Sequence, residues 1–101
     1  MVRRARIMSL TPFAVKSKLE IFSYWNNRNK SKTYSQKLNI EFGNALIKIA
    51  KIPETGIQTD KYGVRITLFT HFEIIYKISE QEINVLDIFD TRQNPINHPI
   101  K

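Results

Sequence analysis

Three strand-like segments with very short links between them fill most of the second half of the chain, and this spacing constrains the fold most. The segments read VRITLF (64–69), HFEIIYKI (71–78) and EINVLDIF (82–89). Thr70-His71 and Glu80-Gln81 leave room only for tight turns, so successive strands are predicted to form antiparallel hairpins. The third segment is apolar on both faces, which predicts the central strand of the sheet.

A helix is predicted upstream, over residues 12–28. Thr11 followed by Pro12 is a typical helix start, with threonine as the N-cap and proline at the first helical position. The apolar positions recur at helical spacing, which predicts a buried stripe. Its members are Val15, Leu19 and Phe22, with Ile21 and Trp25 beside them.

A second helix is predicted to follow after a short polar link. Thr33 and Gln36 fit a capping box, and Pro53 ends the helical pattern. Because the link is short, the two helices are predicted to form an antiparallel pair. The apolar positions of this second helix are Leu38, Phe42, Ala45, Leu46, Ile49 and Ile52.

The N-terminal segment RRARIMSL (3–10) is predicted to form a short first strand, with Ala5, Ile7 and Met8 facing inward. The element order is therefore β-α-α-β-β-β. This order predicts an α+β fold, in which a helical hairpin packs on one face of a small, mostly antiparallel twisted sheet. The length of 101 residues fits one domain spanning 1–101, with a core over about 5–95 and a short polar tail over 96–101.

Several function classes are disfavoured by what the sequence lacks. It has no cysteine, so disulfides and thiolate metal sites are excluded, and a reducing compartment is expected. No apolar run approaches the ~20 residues of a membrane span, and no signal peptide is predicted. The three glycines form no phosphate-binding fingerprint, and His71 and His98 lack metal-ligand spacing. We therefore expect no metal, no cofactor and no membrane partner.

The net charge of +7 is unevenly distributed. Residues 1–51 contain eleven lysines and arginines against two acidic residues, whereas residues 52–101 contain five against seven. The first half therefore carries +9 and the second −2. A basic domain of this kind is typical of proteins that bind nucleic acid, a ribosome or an acidic protein. The alternative is that the charge serves solubility.

A phosphate-binding site is predicted on the sheet face opposite the helices. Arg65 alternates with apolar neighbours, so it is expected on this open face, with Arg92 just past the last strand and Lys61 before the first of the three. Guanidinium groups bind phosphate with two hydrogen bonds. Tyr62 or Tyr76 is a candidate for base stacking. The alternative is a solvated face with Arg92 paired to Asp90 or Asp87.

The last strand ends in the polar sequence DTRQNP, and a histidine follows. Asp90 is predicted to hold Arg92 by a charge-assisted hydrogen bond, and Pro95 to stop the strand. His98 is either an exposed tail residue or a proton donor. At the end of the first helix, Tyr24-Trp25 is expected to pack in the core, with partner contact as the alternative.

Four segments together resemble the RelE/ParE superfamily of type II toxin–antitoxin toxins, also described as plasmid stabilization proteins. They are IFSYWNNRNKSKTYSQKL (21–38), IAKIPETGIQT (49–59), VRITLFTHFEIIYKI (64–78) and INVLDIFDTRQNP (83–95). The resemblance covers roughly residues 5–95 and agrees with the predicted element order. It implies a cytoplasmic, growth-inhibiting toxin that is neutralised by a cognate antitoxin with acidic parts.

The superfamily implies two cellular targets, and both stay open here. One branch cleaves messenger RNA on the ribosome, using the 2′-hydroxyl of the RNA as the nucleophile and no metal. The other inhibits DNA gyrase. The alternative outside the superfamily is a non-catalytic basic module that binds nucleic acid or the ribosome.

The resemblance also suggests roles for individual residues. In the ribonuclease branch Arg65, Arg92 and His98 are the candidate catalytic residues, with His98 where a tyrosine often acts as the acid. The candidate substrate-binding residues are Lys61, Tyr62, Glu73 and Asp90. Glu73 occupies the position of a family arginine, and a carboxylate repels phosphate. That departure argues against an mRNA interferase and favours a non-nuclease or atypical member.

Overall fold

The structure, a computed structural model, describes residues 6–93, 96, 98 and 99. Two sequence-based expectations, an inward Ala5 and a strand-stopping Pro95, lie outside the described residues. Within the described part, the elements are β1 (Ile7–Leu10), α1 (Pro12–Asn29), α2 (Thr33–Lys51), a 3-10 turn (Pro53–Thr55), β2 (Ile57–Gln58), β3 (Val64–Phe69), β4 (Phe72–Ile78) and β5 (Glu82–Asp90). No helix among these residues is long and apolar enough to cross a membrane.

The strands form one sheet in the order β1-β5-β4-β3-β2. β1 pairs with β5 in parallel, and the other neighbours are antiparallel. The predicted β-α-α-β-β-β order and the α+β fold are confirmed, with the two-residue edge strand β2 as an addition. β4 is the central strand, whereas β5, predicted to be central, lies between β1 and β4. Both strands have neighbours on two sides, which explains why both are rich in apolar residues.

Helix α1 begins as predicted, but it presents a different face to the sheet. The Thr11 side chain accepts a hydrogen bond from the Ala14 N–H at 3.0 Å and donates one to the Leu86 carbonyl at 2.9 Å. This double contact fixes how the helix enters the fold and turns Ala14, which is fully buried, toward the sheet. Val15 and Leu19 are 41 % and 59 % exposed, so the predicted stripe is wrong at these two positions.

Helix α2 packs largely as its periodicity predicts, but both of its ends differ from the prediction. Leu38, Phe42 and Ile49 are buried, whereas Ile52, at the end of the helix, is exposed. The predicted capping box is wrong, because Thr33 is the first helical residue and the N-cap residue Lys32 makes no side-chain capping bond. The Ser31 hydroxyl instead accepts a hydrogen bond from the Thr33 N–H at 3.2 Å.

The two faces of the sheet carry separate apolar clusters. The main cluster lies between the helices and the sheet and contains the buried side chains of Phe72, Ile74 and Tyr76 from β4. The second cluster contains Val64, Ile75 and Phe89, with the partly buried Ile66 and Leu86 packed against it. We call the side with the second cluster the open face. In β1, Met8 packs against the main cluster as predicted, but Ile7 is 70 % exposed, so its predicted inward position is wrong.

Candidate functional site

Arg65 lies on the helix side of the sheet, so its predicted position on the open face is wrong. It pairs with Tyr76 across β3 and β4, and directly opposed residues project from the same face. The physical reason is that the apolar side of β3, led by Val64, faces the second cluster rather than the helices. The Arg65 guanidinium donates hydrogen bonds to the carbonyls of Gly56 at 2.8 Å and Glu54 at 3.3 Å.

Tyr76 belongs to the same structural node and has no exposed surface. Its hydroxyl donates a hydrogen bond to the Pro53 carbonyl at 2.7 Å and accepts one from the Gly56 N–H at 2.9 Å. The side chain is completely buried, so the prediction that Tyr76 stacks on a base is wrong. Tyr76 and Arg65 together hold the loop that follows α2 against the sheet. The Arg65 guanidinium therefore makes structural hydrogen bonds and is not free.

Asp90 and Arg92 form a clip at the end of β5, as the sequence predicted for this pair. The Arg92 Nε and Nη2 atoms donate to the two carboxylate oxygens of Asp90 at 3.0 and 2.9 Å, and the Arg92 backbone N–H donates at 2.9 Å. The guanidinium carbon lies 4.7 Å from the ring centroid of Trp25 and 5.6 Å from that of Phe72. Arg92 is thus on the helix side, and its predicted place at the edge of the open face is wrong.

The clip shifts the ionisation of both partners. Burial alone raises the pKa of Asp90, but the side-chain and backbone hydrogen bonds from Arg92, together with its charge, outweigh burial and lower that pKa below the ordinary value of 3.8. The hydrogen bond with Asp90 raises the pKa of Arg92. Because both groups stay charged and paired at neutral pH, much of the positive charge of Arg92 is offset before any ligand arrives.

A groove of about 650 Å³ runs between α1 and the end of β5. Aromatic side chains line it together with Arg28 and the two residues of the clip. Its lining residues are Phe13, Ser17, Glu20, Ile21, Tyr24, Trp25, Arg28, Asp87, Ile88, Phe89, Asp90, Arg92 and Gln93. The groove was not predicted from the sequence. The signal that could have indicated it was the Tyr24-Trp25 pair, for which partner contact was the alternative role. Trp25 packs edge-on against Tyr34, as expected for a core residue, while Tyr24 is 54 % exposed.

His98 and Glu73 form a separate pair on the open face. The His98 Nε2 atom lies 2.7 Å from the Glu73 Oε1 atom, and the imidazole packs edge-on against the Phe89 ring with a centroid distance of 4.7 Å. His98 is only 7 % exposed, so the expectation of an exposed tail histidine is wrong. In this arrangement Glu73 contacts a histidine of the same chain.

Lys61 and Tyr62 lie in the turn between β2 and β3, and both are exposed, Tyr62 at 95 %. The Lys61 carbonyl accepts a hydrogen bond from the Val64 N–H at 3.1 Å, which closes the turn. Their side chains are accessible to a ligand, but they belong to the far edge of the sheet. The Asp90–Arg92 clip lies at the end of β5, which is two strands away from β3 in the sheet.

The predicted site residues are therefore not gathered at one place. Arg65 is opposite Tyr76, whereas Asp90, the partner of Arg92, is opposite Phe72. Phe72 and Tyr76 are four positions apart in β4, a distance of about 13 Å along the strand. His98 lies on the other side of the sheet. Among the described residues, no cluster of histidine and acidic side chains suits a metal ion.

We expect His98→Ala to lower the free energy of unfolding by about 1 kcal/mol, because it removes a partly buried hydrogen bond and an aromatic contact. Urea denaturation of the purified chain measures this loss. His71→Ala is the matched control, since the side chain of His71 is exposed in the β3–β4 turn. Equal stability of the two variants would show that the His98–Glu73 pair does not stabilise the fold.

Comparisons with known proteins bear on the fold. No protein-family model and no curated protein matches the sequence. Ten chains of solved structures match the fold. One belongs to the structure described as the chromosomal ParDE TA system from P. aeruginosa, with 14 % sequence identity and a TM-score of 0.73. The match covers 87 % of this chain and 98 % of the other. The protein therefore shares the α+β fold of that chain, in agreement with the fold that the resemblance implied.

Proposed function

We propose that this protein is the toxin of a type II toxin–antitoxin system, inhibits growth in the cytoplasm and is neutralised by a cognate antitoxin. The observation that carries the proposal is the shared fold, which spans 98 % of a chain from a ParDE system. The ordered sequence segments that resemble the superfamily support the same function. A basic chain also suits a partly acidic antitoxin by charge complementarity.

Within this function, we propose a target other than messenger RNA, with DNA gyrase as the candidate. The ribonuclease branch requires cationic and proton-transferring groups around one scissile phosphate. The separation of Arg65, Arg92 and His98 argues against such a site in this conformation. Glu73, at the position of a family arginine, is paired with His98 on the open face. Both observations favour the non-nuclease branch.

The test is a short, tightly controlled pulse of expression in a bacterial host that lacks an antitoxin. We expect growth arrest, intact messenger RNA in 5′-end mapping, and trapped covalent complexes between gyrase and DNA. New in-frame cuts in messenger RNA would replace the gyrase proposal with ribosome-dependent cleavage. Normal growth despite accumulation of folded protein would contradict the toxin function itself.

Two variants distinguish the branches further. His98→Ala is expected to leave growth arrest intact if no proton transfer is needed, whereas a ribonuclease would lose about 10²–10⁴-fold of its activity. His71→Ala again serves as the control for removing an imidazole.

Co-expression with the product of the neighbouring antitoxin gene is expected to restore growth. Failure of every candidate antitoxin to do so would contradict neutralisation by a cognate partner.

A further inference from the structure

The end of α1 and the link to α2 carry three exposed cations in five positions. We define the hairpin tip as residues 26–33, which contain Arg28, Lys30 and Lys32. Residues 21–40 include no aspartate or glutamate, so no acidic side chain nearby in sequence offsets this charge. Residues 27–33 are all exposed. Within the described residues, none of the three cations forms a salt bridge.

The backbone of the hairpin tip is held in a defined conformation. Lys30 adopts a left-handed conformation with φ of 50°, and the N–H groups of Lys30 and Ser31 both donate to the Asn26 carbonyl. The Ser35 hydroxyl bonds to the Asn26 side chain, which ties the start of α2 to the end of α1. Ordering of the backbone before binding reduces the entropy that a ligand contact would cost.

We propose that the hairpin tip is a nucleic-acid contact that binds the sugar–phosphate backbone without reading sequence. Its side chains are asparagine, arginine, lysine, serine and threonine, which are the types that donate to phosphate oxygens. Protein–protein interfaces are typically depleted of lysine and enriched in apolar or aromatic anchors at their centre. Residues 26–33 contain none. This inference goes beyond the proposed function, because it concerns binding by the purified chain whether or not the chain is toxic.

The test is fluorescence anisotropy of the purified full-length chain with a labelled 20-base-pair DNA duplex and a labelled 20-nucleotide RNA over a range of salt concentrations. The tip variant combines Arg28→Gln, Lys30→Asn and Lys32→Gln, with asparagine chosen because it tolerates the left-handed backbone. We expect at least tenfold weaker binding at low salt. The slope of log K against log[salt] should fall by about 2.7 on the duplex and about 2 on the RNA.

The matched control removes the same number of charges elsewhere, in the variant Lys16→Gln, Lys48→Gln, Lys77→Gln. All three residues are exposed and lie outside the hairpin tip. We expect this control to change affinity by less than threefold. Equal losses in the two triple variants, or salt-independent binding by the wild type, would overturn the proposal.

Arg28 also lies near the Trp25 ring, at 5.8 Å, so a second tip variant retains it. The double variant Lys30→Asn, Lys32→Gln should show about two-thirds of the change in salt slope seen with the triple variant. Circular dichroism establishes that each variant is folded before binding is compared. Loss of binding only when Arg28 is changed would contradict a contact made by the whole tip. Absence of growth arrest with intact binding would refute the toxin function and leave this inference standing.

Discussion

Replacing Gly56 with alanine is expected to lower the free energy of unfolding by about 2–3 kcal/mol. A Cβ atom built on Gly56 would lie 2.4 Å from the Tyr76 hydroxyl oxygen and 3.0 Å from the Ile66 carbonyl oxygen. Neither atom is free to withdraw, because the hydroxyl is buried between two hydrogen-bond partners and the carbonyl belongs to β3. Overpacking at such a site costs about 1–3 kcal/mol, and weakening the buried hydrogen bonds adds to that cost.

Gly43→Ala is the matched control, and it should change the free energy of unfolding in the opposite direction. Gly43 lies in α2, and a Cβ atom there would meet nothing within 4 Å. Alanine in a helix interior is favoured over glycine by about 0.5–1 kcal/mol, so this variant should be more stable than the wild type. Urea denaturation of both variants measures the difference. Equal effects of the two substitutions would show that the loop at Gly56 is not closely packed against Tyr76.

A double-mutant cycle tests whether the clash involves the hydroxyl. Tyr76→Phe alone should cost about 2 kcal/mol, since it leaves a buried N–H and a buried carbonyl without their partner. In the Tyr76→Phe background, Gly56→Ala should cost less than in the wild type, because the nearest clashing atom is gone. Additive losses would contradict this account. The result matters for Arg65, whose guanidinium bonds to the Gly56 carbonyl and which we therefore expect to stabilise the same loop.

Asp90→Asn is expected to lower the free energy of unfolding by about 1.5 kcal/mol at pH 7, because it removes the charge from a bidentate hydrogen-bonded pair. The expected loss lies at the low end for charged hydrogen bonds, since the Arg92 side chain is 41 % exposed and partly screened by water. Asp60→Asn is the matched control, an identical chemical change at an exposed position in the β2–β3 loop.

The dependence of this loss on pH follows from the lowered pKa of Asp90. A carboxyl group whose pKa is lower in the folded state stabilises the fold at pH values above its unfolded pKa, here about 3.8. This contribution disappears as the pH falls through the lower folded value. Urea titrations between pH 7 and pH 2 should therefore show the wild type and Asp90→Asn converging below pH 3.8. A constant difference across this range would contradict the ion pair as the cause.

The sequence predicted the architecture because its strongest signals are local. Alternation and short turns predict the hairpins after Val64, and Thr11 with Pro12 predicts the start of α1 from residues adjacent in the chain. The same periodicity does not identify which face of the sheet the helices cover, because both faces of the sheet carry apolar clusters. β3 has apolar residues on one side, yet these meet a second cluster on the open face, and Arg65 takes the helix side.

By itself, the sequence determined the order of the elements, the antiparallel hairpins, the helical pair and the Asp90–Arg92 clip, because each depends on residues close together in the chain. Only the tertiary structure decided which face each strand presents, the node around Tyr76 and the pairing of His98 with Glu73. The bonds of the Tyr76 hydroxyl to Pro53 and Gly56, and the bond of His98 to Glu73, join residues 20 to 25 positions apart. Strand register sets their geometry, and a shift of one residue would move every side chain to the opposite face.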